Sequence, residues 1–298
     1  MGTSGHGHDH DHDHDEHDQH EHPGGGGTRS MTIRRVSLPA FETALAAATG
    51  QDVPAPEGAW TELERAELAS GRTLRPSWAR VLAAAPGAPV QVRVVARQDL
   101  VSFESDIALL PGIALVRTQR VRLRATAEGY EPAGREGAVE LVAVDPEQLW
   151  AAVRRVLPPH EALRAAAHVT PLSRERHLAP PRGVAEDLRR RAEADPLGRT
   201  PGAVLESAVD DPELSAVLAG GEAQVALTVL ARTGADVAAP VGSGHWVLAD
   251  EHLCAVRTAS GTLDVVGVEP GDVAAQLRYL VTGAHSLVDE AITGQVGA

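Results

Sequence analysis

The chain has 298 residues, of which 43 % are hydrophobic but only 3 % aromatic, so its interior must be built mainly from Val, Leu and Ala. A formal net charge of −14 argues against the phosphate backbone of nucleic acids as a partner, and no apolar run approaches the roughly 20 residues of a membrane-spanning helix. The single cysteine, Cys254, excludes an internal disulfide, and the first residues lack the pattern of a secretory signal, so we expect a cytoplasmic protein.

The first 30 residues are a low-complexity segment in which histidine alternates with acids before Pro23 and four glycines. Such a segment has almost no apolar surface to offset its ordering entropy, so we predict that residues 1–30 are a disordered tail. His-x-His pairs in an extended chain point the same way, which predicts chelation of Zn²⁺ or Ni²⁺. The predicted ligands are His6, His8, His10, His12, His14, His17, His20 and His22. A purification tag or a mis-assigned start upstream of Met31 explains the segment equally well.

Globular sequence begins at Met31, and its apolar spacing predicts three helices before the first long strand. The first covers residues 38–48 and follows Ser37, which suits the N-cap position. A Pro/Gly-rich connector separates it from a charged helix at residues 60–70, and a third helix is predicted at residues 76–85.

At Val90 the hydrophobic period changes to two, which is typical of half-buried strands. We predict further strands at residues 101–109, 113–118 and 120–126, followed by a glycine-containing loop at 129–137. Because the connections between consecutive strands are short, the strands should pair in antiparallel fashion.

One strand–helix unit then occurs twice in the chain. Residues 139–157 read VELVAVDPEQLWAAVRRVL, and residues 263–281 read LDVVGVEPGDVAAQLRYLV. In both copies an acid–Pro step marks the change to a helix, since Pro suits the first helical position and the helix dipole favours the acid. We therefore interpret the unit as framework and expect its valines in the core: Val142, Val144, Val266 and Val268.

The second half repeats the first. After a helix-poor bridge with one helix at residues 161–167, we predict helices at 185–194 and 204–218. Strands follow at residues 224–232, 246–248, 253–257 and 263–268, and a last short helix at 286–292.

These elements predict an α+β fold of two halves related by a pseudo-twofold axis, each ordered as helix, antiparallel β-meander and helix. The halves are residues 31–160 and 201–298, and residues 161–200 form the bridge between them. We expect residues 31–298 to form one compact domain, and the sequence leaves monomer and homodimer open.

Motifs of enzymes are absent from the sequence. Ser243 lies in GSGH, which lacks the G-x-S-x-G pattern of a nucleophile elbow and is better explained as a hairpin turn. His252 and Cys254 share one face of a predicted strand, so a Cys–His dyad is formally open, but a buried apolar role is the default for free Cys. The chain has no phosphate-binding loop and no Lys. We therefore expect no enzymatic activity and no required cofactor.

The order of elements from Met31 to Ala298 resembles the EspG-type chaperones of actinobacterial type VII secretion. The resemblance rests on the opening strand and helix, TIRRVSLPAFETALAA, and on the helix-to-strand step, SWARVLAAAPGAPVQVRVVAR. The closing segment, HWVLADEHLCAVRTASGTLDVVGVEPGDVAAQLRYLV, is similar to the family's ending of two strands, V-x-P and a helix. The resemblance implies a non-enzymatic cytosolic protein that binds the helical tip of a PE/PPE-type heterodimer, prevents its aggregation and aids its delivery.

A chaperone of this kind needs an adaptable apolar surface, which the hairpin near residue 110 and the C-terminal helices could supply. The predicted partner-binding residues are Leu109, Leu110, Ile113, Leu277 and Leu280. The alternative is that all five belong to the core, which suits Leu277 and Leu280 best. A different hypothesis for the whole chain is a protein that buffers or delivers metal through the histidines of the tail.

Overall fold

The computed structural model describes residues 31–52, 54–126, 129–167, 221–234, 238–249, 252–259 and 262–296. The tail with its predicted histidine ligands lies outside these ranges, as do the helices predicted at residues 185–194 and 204–218. In the ranges just given, no helix combines the length and the apolar character that crossing a membrane requires.

The described chain opens with strand β1 (Thr32–Ser37) and passes directly into helix α1 (Leu38–Thr49). The backbone N–H of Ala40 donates a hydrogen bond of 3.3 Å to Oγ of Ser37, so the predicted N-cap is confirmed. The helix ends at Gly50, whose φ of 70° is the left-handed conformation that a helix C-terminus favours.

Helix α2 (Ala59–Arg65) is shorter than the charged helix predicted over residues 60–70. Glu67 has a positive φ of 59°, which breaks the helical path. A two-stranded hairpin of β2 (Ala69–Ser70) and β3 (Thr73–Leu74) follows. Helix α3 (Pro76–Ala84) then begins on a proline, as predicted from its sequence.

The first meander consists of β4 (Val90–Gln98), β5 (Val101–Leu110), β6 (Ile113–Thr126) and β7 (Gly129–Val144). Two predictions in this region were wrong. The strands predicted at 113–118 and 120–126 form one strand, and the loop predicted at 129–137 is the first half of β7. The cause is cross-strand pairing: β7 follows β6 along this ribbon, and two register shifts accommodate the irregular positions.

The first strand–helix unit continues from β7 through a 3-10 turn (Pro146–Gln148) into α4 (Leu149–Val156). The N–H of Glu147 donates a hydrogen bond of 3.0 Å to Oδ1 of Asp145, so the acid of the acid–Pro step caps the turn. Helix α5 (Glu161–Arg164) is shorter than the helix predicted over residues 161–167.

The second meander consists of β8 (Ala223–Ala231), β9 (Ala239–Ala249), β10 (His252–Ala259) and β11 (Thr262–Gly267). Helix α6 (Asp272–Val296) follows and is continuous over its 25 residues, so the prediction of a separate helix at 286–292 was wrong.

All nine long strands described here belong to one sheet in the order β1-β7-β6-β5-β4-β8-β9-β10-β11. Every pairing is antiparallel, and β4 and β8 pair over their full length at the centre, where Val94 lies opposite Leu227. One meander runs outward from each side of this pair, which confirms the predicted α+β fold. Strand β1 extends only the first half, so the two halves are not equivalent at the outer edges of the sheet.

Each face of the sheet has its own apolar core because side chains alternate between the faces. On the face that we call the α6 face, Val92, Val94 and Leu227 pack together with side chains of α4, α5 and α6. On the opposite α1 face, Ala108 and Leu115 pack under α1, α2 and α3. The repeated valines behave largely as expected: Val142, Val144 and Val266 are buried, and Val268 is partly buried.

Candidate functional site

A cavity of about 270 Å³ lies between helices α1 and α3 and the α1 face of the sheet. Helices α1 and α3 form its roof, and strands β4, β5, β6 and β8 form its floor. The apolar residues that line it include Phe41, Leu45, Leu82, Ala108, Leu115 and Leu230. A concave apolar site bordered by a few polar groups is typical of ligand-binding sites.

The floor of the cavity is a row of directly opposed residues on four adjacent strands. Leu230 lies opposite Gln91, Gln91 opposite Ala108, and Ala108 opposite Leu115. Directly opposed side chains project from the same face of a sheet, so these four form a continuous strip beneath α1 and α3. We call this strip the floor row.

A second row, which we call the arginine row, lies two residues further along each strand and borders the cavity. It consists of Arg93, Asp106 and Arg117, in which Asp106 lies opposite both arginines. Nη1 of Arg117 donates a hydrogen bond of 3.2 Å to Oδ2 of Asp106. Nε of Arg93 is 3.8 Å from Oδ1 of the same carboxylate, which is longer than a hydrogen bond.

The arginine row has more positive than negative charge. Nη2 of Arg93 is also 3.8 Å from Oε2 of Glu104, but that buried oxygen already accepts a hydrogen bond of 3.0 Å from Arg135. Two guanidinium groups therefore share one remaining carboxylate, that of Asp106. Within the described part of the chain, Nε of Arg93 and Nε of Arg117 are buried and donate no hydrogen bond. A buried N–H group without an acceptor lowers the stability of the fold unless a ligand or a water molecule accepts its hydrogen bond.

The roof of the cavity contacts the arginine row through an aromatic ring. The guanidinium carbon of Arg117 lies 5.0 Å from the centroid of the Phe41 ring, within the range of a cation–π interaction. This contact and the hydrogen bond to Asp106 hold the Arg117 head group at the border between the apolar floor and solvent.

Three of the residues predicted to bind a partner lie in the core. Leu109 is 3 % exposed, Leu277 3 % and Leu280 6 %, so the alternative interpretation as core residues fits them. Leu110 and Ile113 are partly buried beside the turn between β5 and β6. Contact of any of the five with a partner stays a prediction.

Helix α6 presents large apolar side chains to solvent. Tyr279 is 73 % exposed, Ile292 57 % and Leu287 43 %. In a chain with so few aromatic residues, an exposed tyrosine is a candidate anchor for a partner, because tyrosine is enriched where binding energy concentrates. These three side chains were not predicted as partner-binding residues, since the apolar spacing of the helix does not show which of its apolar residues stay exposed.

The expected hairpin turn at GSGH is wrong, because Ser243 lies inside β9, opposite Thr228. The glycines serve packing instead. A Cβ added at Gly244 would lie 2.3 Å from the ring of Trp246, and one added at Gly242 would lie 2.6 Å from a methyl group of Leu280.

The remaining chemical candidates lie on β9 and β10. His252 is exposed and Cys254 is partly buried, where it lies opposite Val247 and Gly267. Burial lowers the pKa of His245 to about 4, so its imidazole is neutral at physiological pH. Within the ranges that the structure describes, no three His, Cys, Asp or Glu side chains converge as metal ligands do.

The arginine row was not predicted as a site. Each of its three charged residues lies at an alternate position of its own strand. In the sequence this pattern cannot be told from that of any sheet face exposed to solvent. The missing information was the register that brings Arg93, Asp106 and Arg117 into line.

No family profile matches the sequence, and no curated protein matches it. The chain is similar to EspG5, the type VII secretion system chaperone of Mycobacterium tuberculosis whose structure was solved in complex with the PE25-PPE41 dimer. The identity is 12 %, the match covers 84 % of this chain and 96 % of that one, and the TM-score is 0.49. Similarity also extends to the dehydratase domain from the terminal module of the rifamycin polyketide synthase, at 16 % identity over 80 % of this chain and 89 % of that one, with a TM-score of 0.17. Likenesses this remote do not decide function, which must be argued from the residues of this chain.

Proposed function

We propose that this chain is a non-enzymatic cytoplasmic chaperone that binds the helical tip of a PE/PPE-type secretion substrate and keeps it from aggregating before delivery. The observation that carries the proposal is the order of elements, in which each half runs through a β-meander and an acid–Pro step into a helix. That order, repeated on both sides of the β4–β8 pair, is the one on which the resemblance to EspG-type chaperones rests.

A chaperone for an apolar helical tip must offer apolar side chains at its own surface. Two of the places where the described part of the chain offers them are near each other along the strands. Leu110 and Ile113 flank the β5–β6 turn, and Leu287 and Ile292 are exposed on α6. We infer that the client contacts both places.

The two places lie toward the same end of the sheet. The β5–β6 turn follows Leu109, which lies opposite Val90 at the start of β4. Helix α6 runs toward that end as well, because Asp272 at its start bonds to Trp246, whereas a Cβ added at Gly283 would lie 4.0 Å from Val241, close to the beginning of β9. Leu110 and Ile113 lie on the α1 face and α6 lies on the opposite face, so a client that contacts both places must extend across this end of the sheet.

The experiment is co-expression of the full chain with a PE/PPE-type pair from the same genome, followed by size-exclusion chromatography of the soluble fraction. We expect a stable complex, and we expect Ile113→Asp and Ile292→Asp to weaken it at least about tenfold, since a charge placed in an apolar interface is costly. Leu100→Asp is the matched control, because Leu100 is 48 % exposed in the β4–β5 turn at the other end of these strands. Absence of a complex would refute the proposal, and an equal loss with Leu100→Asp would refute the assigned surface.

A further inference from the structure

We propose that the cavity beneath α1 and α3 binds a medium-chain aliphatic carboxylate. Its hydrocarbon chain lies on the floor row, and its carboxylate lies between Arg93 and Arg117 of the arginine row. Leu110 and Ile113, which we assign to the client, lie next to the floor row on the same face of the sheet but do not line the cavity, and the inference does not rest on the chaperone function.

The size of the cavity fixes the length of the ligand. A volume of about 270 Å³ holds about nine non-hydrogen atoms at roughly 30 Å³ each, which accommodates the eight carbons of octanoate with its two carboxylate oxygens at the mouth. Four leucines line the cavity, Leu45, Leu82, Leu115 and Leu230. Flexible aliphatic walls suit a saturated chain better than a rigid ring system.

The charge of the arginine row selects a carboxylate head group. Arg93 and Arg117 share one carboxylate, and the Asp106 side chain that carries it is 50 % exposed. Asp106 can therefore turn toward solvent while the ligand's oxygens take its place between the two guanidinium groups. Guanidinium groups bind carboxylates through paired, charge-assisted hydrogen bonds. The buried Nε atoms of both arginines would gain an acceptor.

The geometry of the two rows places head and chain correctly. The arginine row and the floor row are separated by two residues along each strand, about 7 Å. A hydrocarbon chain whose carboxylate lies on the arginine row therefore extends directly over the floor row. The Phe41 ring above Arg117 closes the roof at the junction of the polar and apolar parts.

A small molecule fits this site better than a segment of another protein. A helix is about 10 Å in diameter with its side chains, and helices α1 and α3 already cover the floor row. A further helix therefore cannot lie on the floor row, whereas a narrow aliphatic chain fits in the volume that remains.

The experiment is isothermal titration of the full chain with octanoate, octan-1-ol and octylamine at low ionic strength. We expect octanoate to bind, octan-1-ol to bind at least about tenfold more weakly because it lacks the charge-assisted bonds, and octylamine not to bind. From pentanoate to octanoate, each added methylene should tighten binding by about fourfold until the cavity is full.

Variants locate the site within the chain. Arg93→Gln and Arg117→Gln should each weaken octanoate binding at least about tenfold, and Ala108→Leu should abolish it by filling the floor row. Arg120→Gln is the matched control, since Arg120 also has an ion pair and a ring contact, with Glu136 and Phe103, but does not line the cavity. Thermal unfolding shows which variants are folded. The series from pentanoate to octanoate is measured on the unaltered chain, so it tests the proposal even if a variant does not fold.

Three results would overturn the proposal. They are no binding of octanoate at roughly millimolar concentration, equal affinities for octanoate and octan-1-ol, or an equal loss of binding with Arg120→Gln. Formation of the complex with a PE/PPE-type pair is measured separately, so failure of one proposal leaves the other standing.

Discussion

The indole Nε1–H of Trp246 donates a hydrogen bond of 2.8 Å to Oδ2 of Asp272, which joins the sheet to the first residue of α6. Trp246 is 2 % exposed and is among the largest fully buried side chains of the described chain. The carboxylate of Asp272 lies at the N-terminus of the helix, where the dipole favours negative charge. One contact therefore positions α6 on the sheet and stabilises its first turn.

A double-mutant cycle tests this link. Trp246→Phe removes the donor, Asp272→Ala removes the acceptor, and we expect a coupling free energy of about 1–2 kcal/mol between them. The free energy of unfolding is measured by urea denaturation at pH 7. Strictly additive effects of the two substitutions would show that the bond contributes nothing to stability.

The glycines of β9 give a second prediction, because each leaves space for a specific side chain. Gly244→Ala should destabilise the fold by about 2–3 kcal/mol, since its Cβ would lie 2.3 Å from the rigid Trp246 ring. Gly242→Ala should cost less, about 1–2 kcal/mol, because the end of the Leu280 side chain can move.

Gly137→Ala is the matched control for both glycine variants. Gly137 also lies in a strand, β7, but nothing lies within 4 Å of a Cβ added there. Its substitution should leave stability unchanged or raise it, because the unfolded chain loses entropy. Urea denaturation measures all three variants, and equal effects at positions 137 and 244 would contradict the packing argument.

The glycines also show which parts of the fold the sequence predicts. The alternation of apolar and polar residues predicted β4 and β8, and Ser37 predicted the start of α1, because these signals are local in the sequence. GSGH was interpreted as a turn because the contact of Gly242 with Leu280 is tertiary, and the contact of Gly244 with Trp246 forms only when the segment is extended as a strand. The helices predicted before and after Gly283 form one helix, α6, in which the buried Ala284 and Val288 offset the helix penalty of about 1 kcal/mol for glycine.

The candidate site was beyond prediction for a related reason. Arg93, Asp106 and Arg117 are separated in sequence, and only the pairing of β4, β5 and β6 aligns them. The hydrophobic pattern predicts strands in this region but not their register, and a shift by one residue would move these side chains to the other face. The exposed face of α6 depends in the same way on where the helix contacts the sheet.

His245 predicts a loss of stability in mild acid. Burial holds its pKa at about 4 in the folded chain, compared with the ordinary value of 6.5. Below pH 6.5 the unfolded chain takes up a proton that the folded chain does not, so stability falls as the pH drops from about 6.5 toward 4. The slope is at most about 1.4 kcal/mol per pH unit, and partial exposure of the side chain makes this an upper limit.

The measurement is urea denaturation at pH 7 and pH 5 of the unaltered chain and of His245→Gln. We expect the unaltered chain to lose up to about 2 kcal/mol more than the variant between these values. His285→Gln, at an exposed position of α6, is the control and should keep the pH dependence of the unaltered chain. Identical pH dependence in His245→Gln would show that this residue is not responsible.

Glu62 links helix α2 to the start of α1. Its carboxylate accepts two hydrogen bonds of 2.6 Å, one from the backbone N–H of Ser37 and one from the hydroxyl of the same residue. Glu62→Ala should destabilise the fold by about 1–3 kcal/mol, since it leaves a backbone donor without its charged acceptor. Glu64→Ala is the control on the same helix and should cost below about 1 kcal/mol, because Glu64 accepts only one exposed bond of 3.2 Å, from Gly71. Equal thermal unfolding of the two variants would contradict this assignment.

The histidines of the tail give the last prediction, that residues 6–22 bind Zn²⁺ or Ni²⁺. Neutral imidazole is the ligand, so affinity should fall steeply as the pH drops below about 6.5 and the rings become protonated. Titration of the full chain with ZnCl₂ at pH 7.5 and pH 5.5 measures this dependence. A variant with Asn at each of the eight tail histidines, which retains every Asp and Glu of the tail, separates imidazole from carboxylate binding. Undiminished Zn²⁺ binding in this variant would place the metal elsewhere and remove the case for a metal-buffering role of the tail.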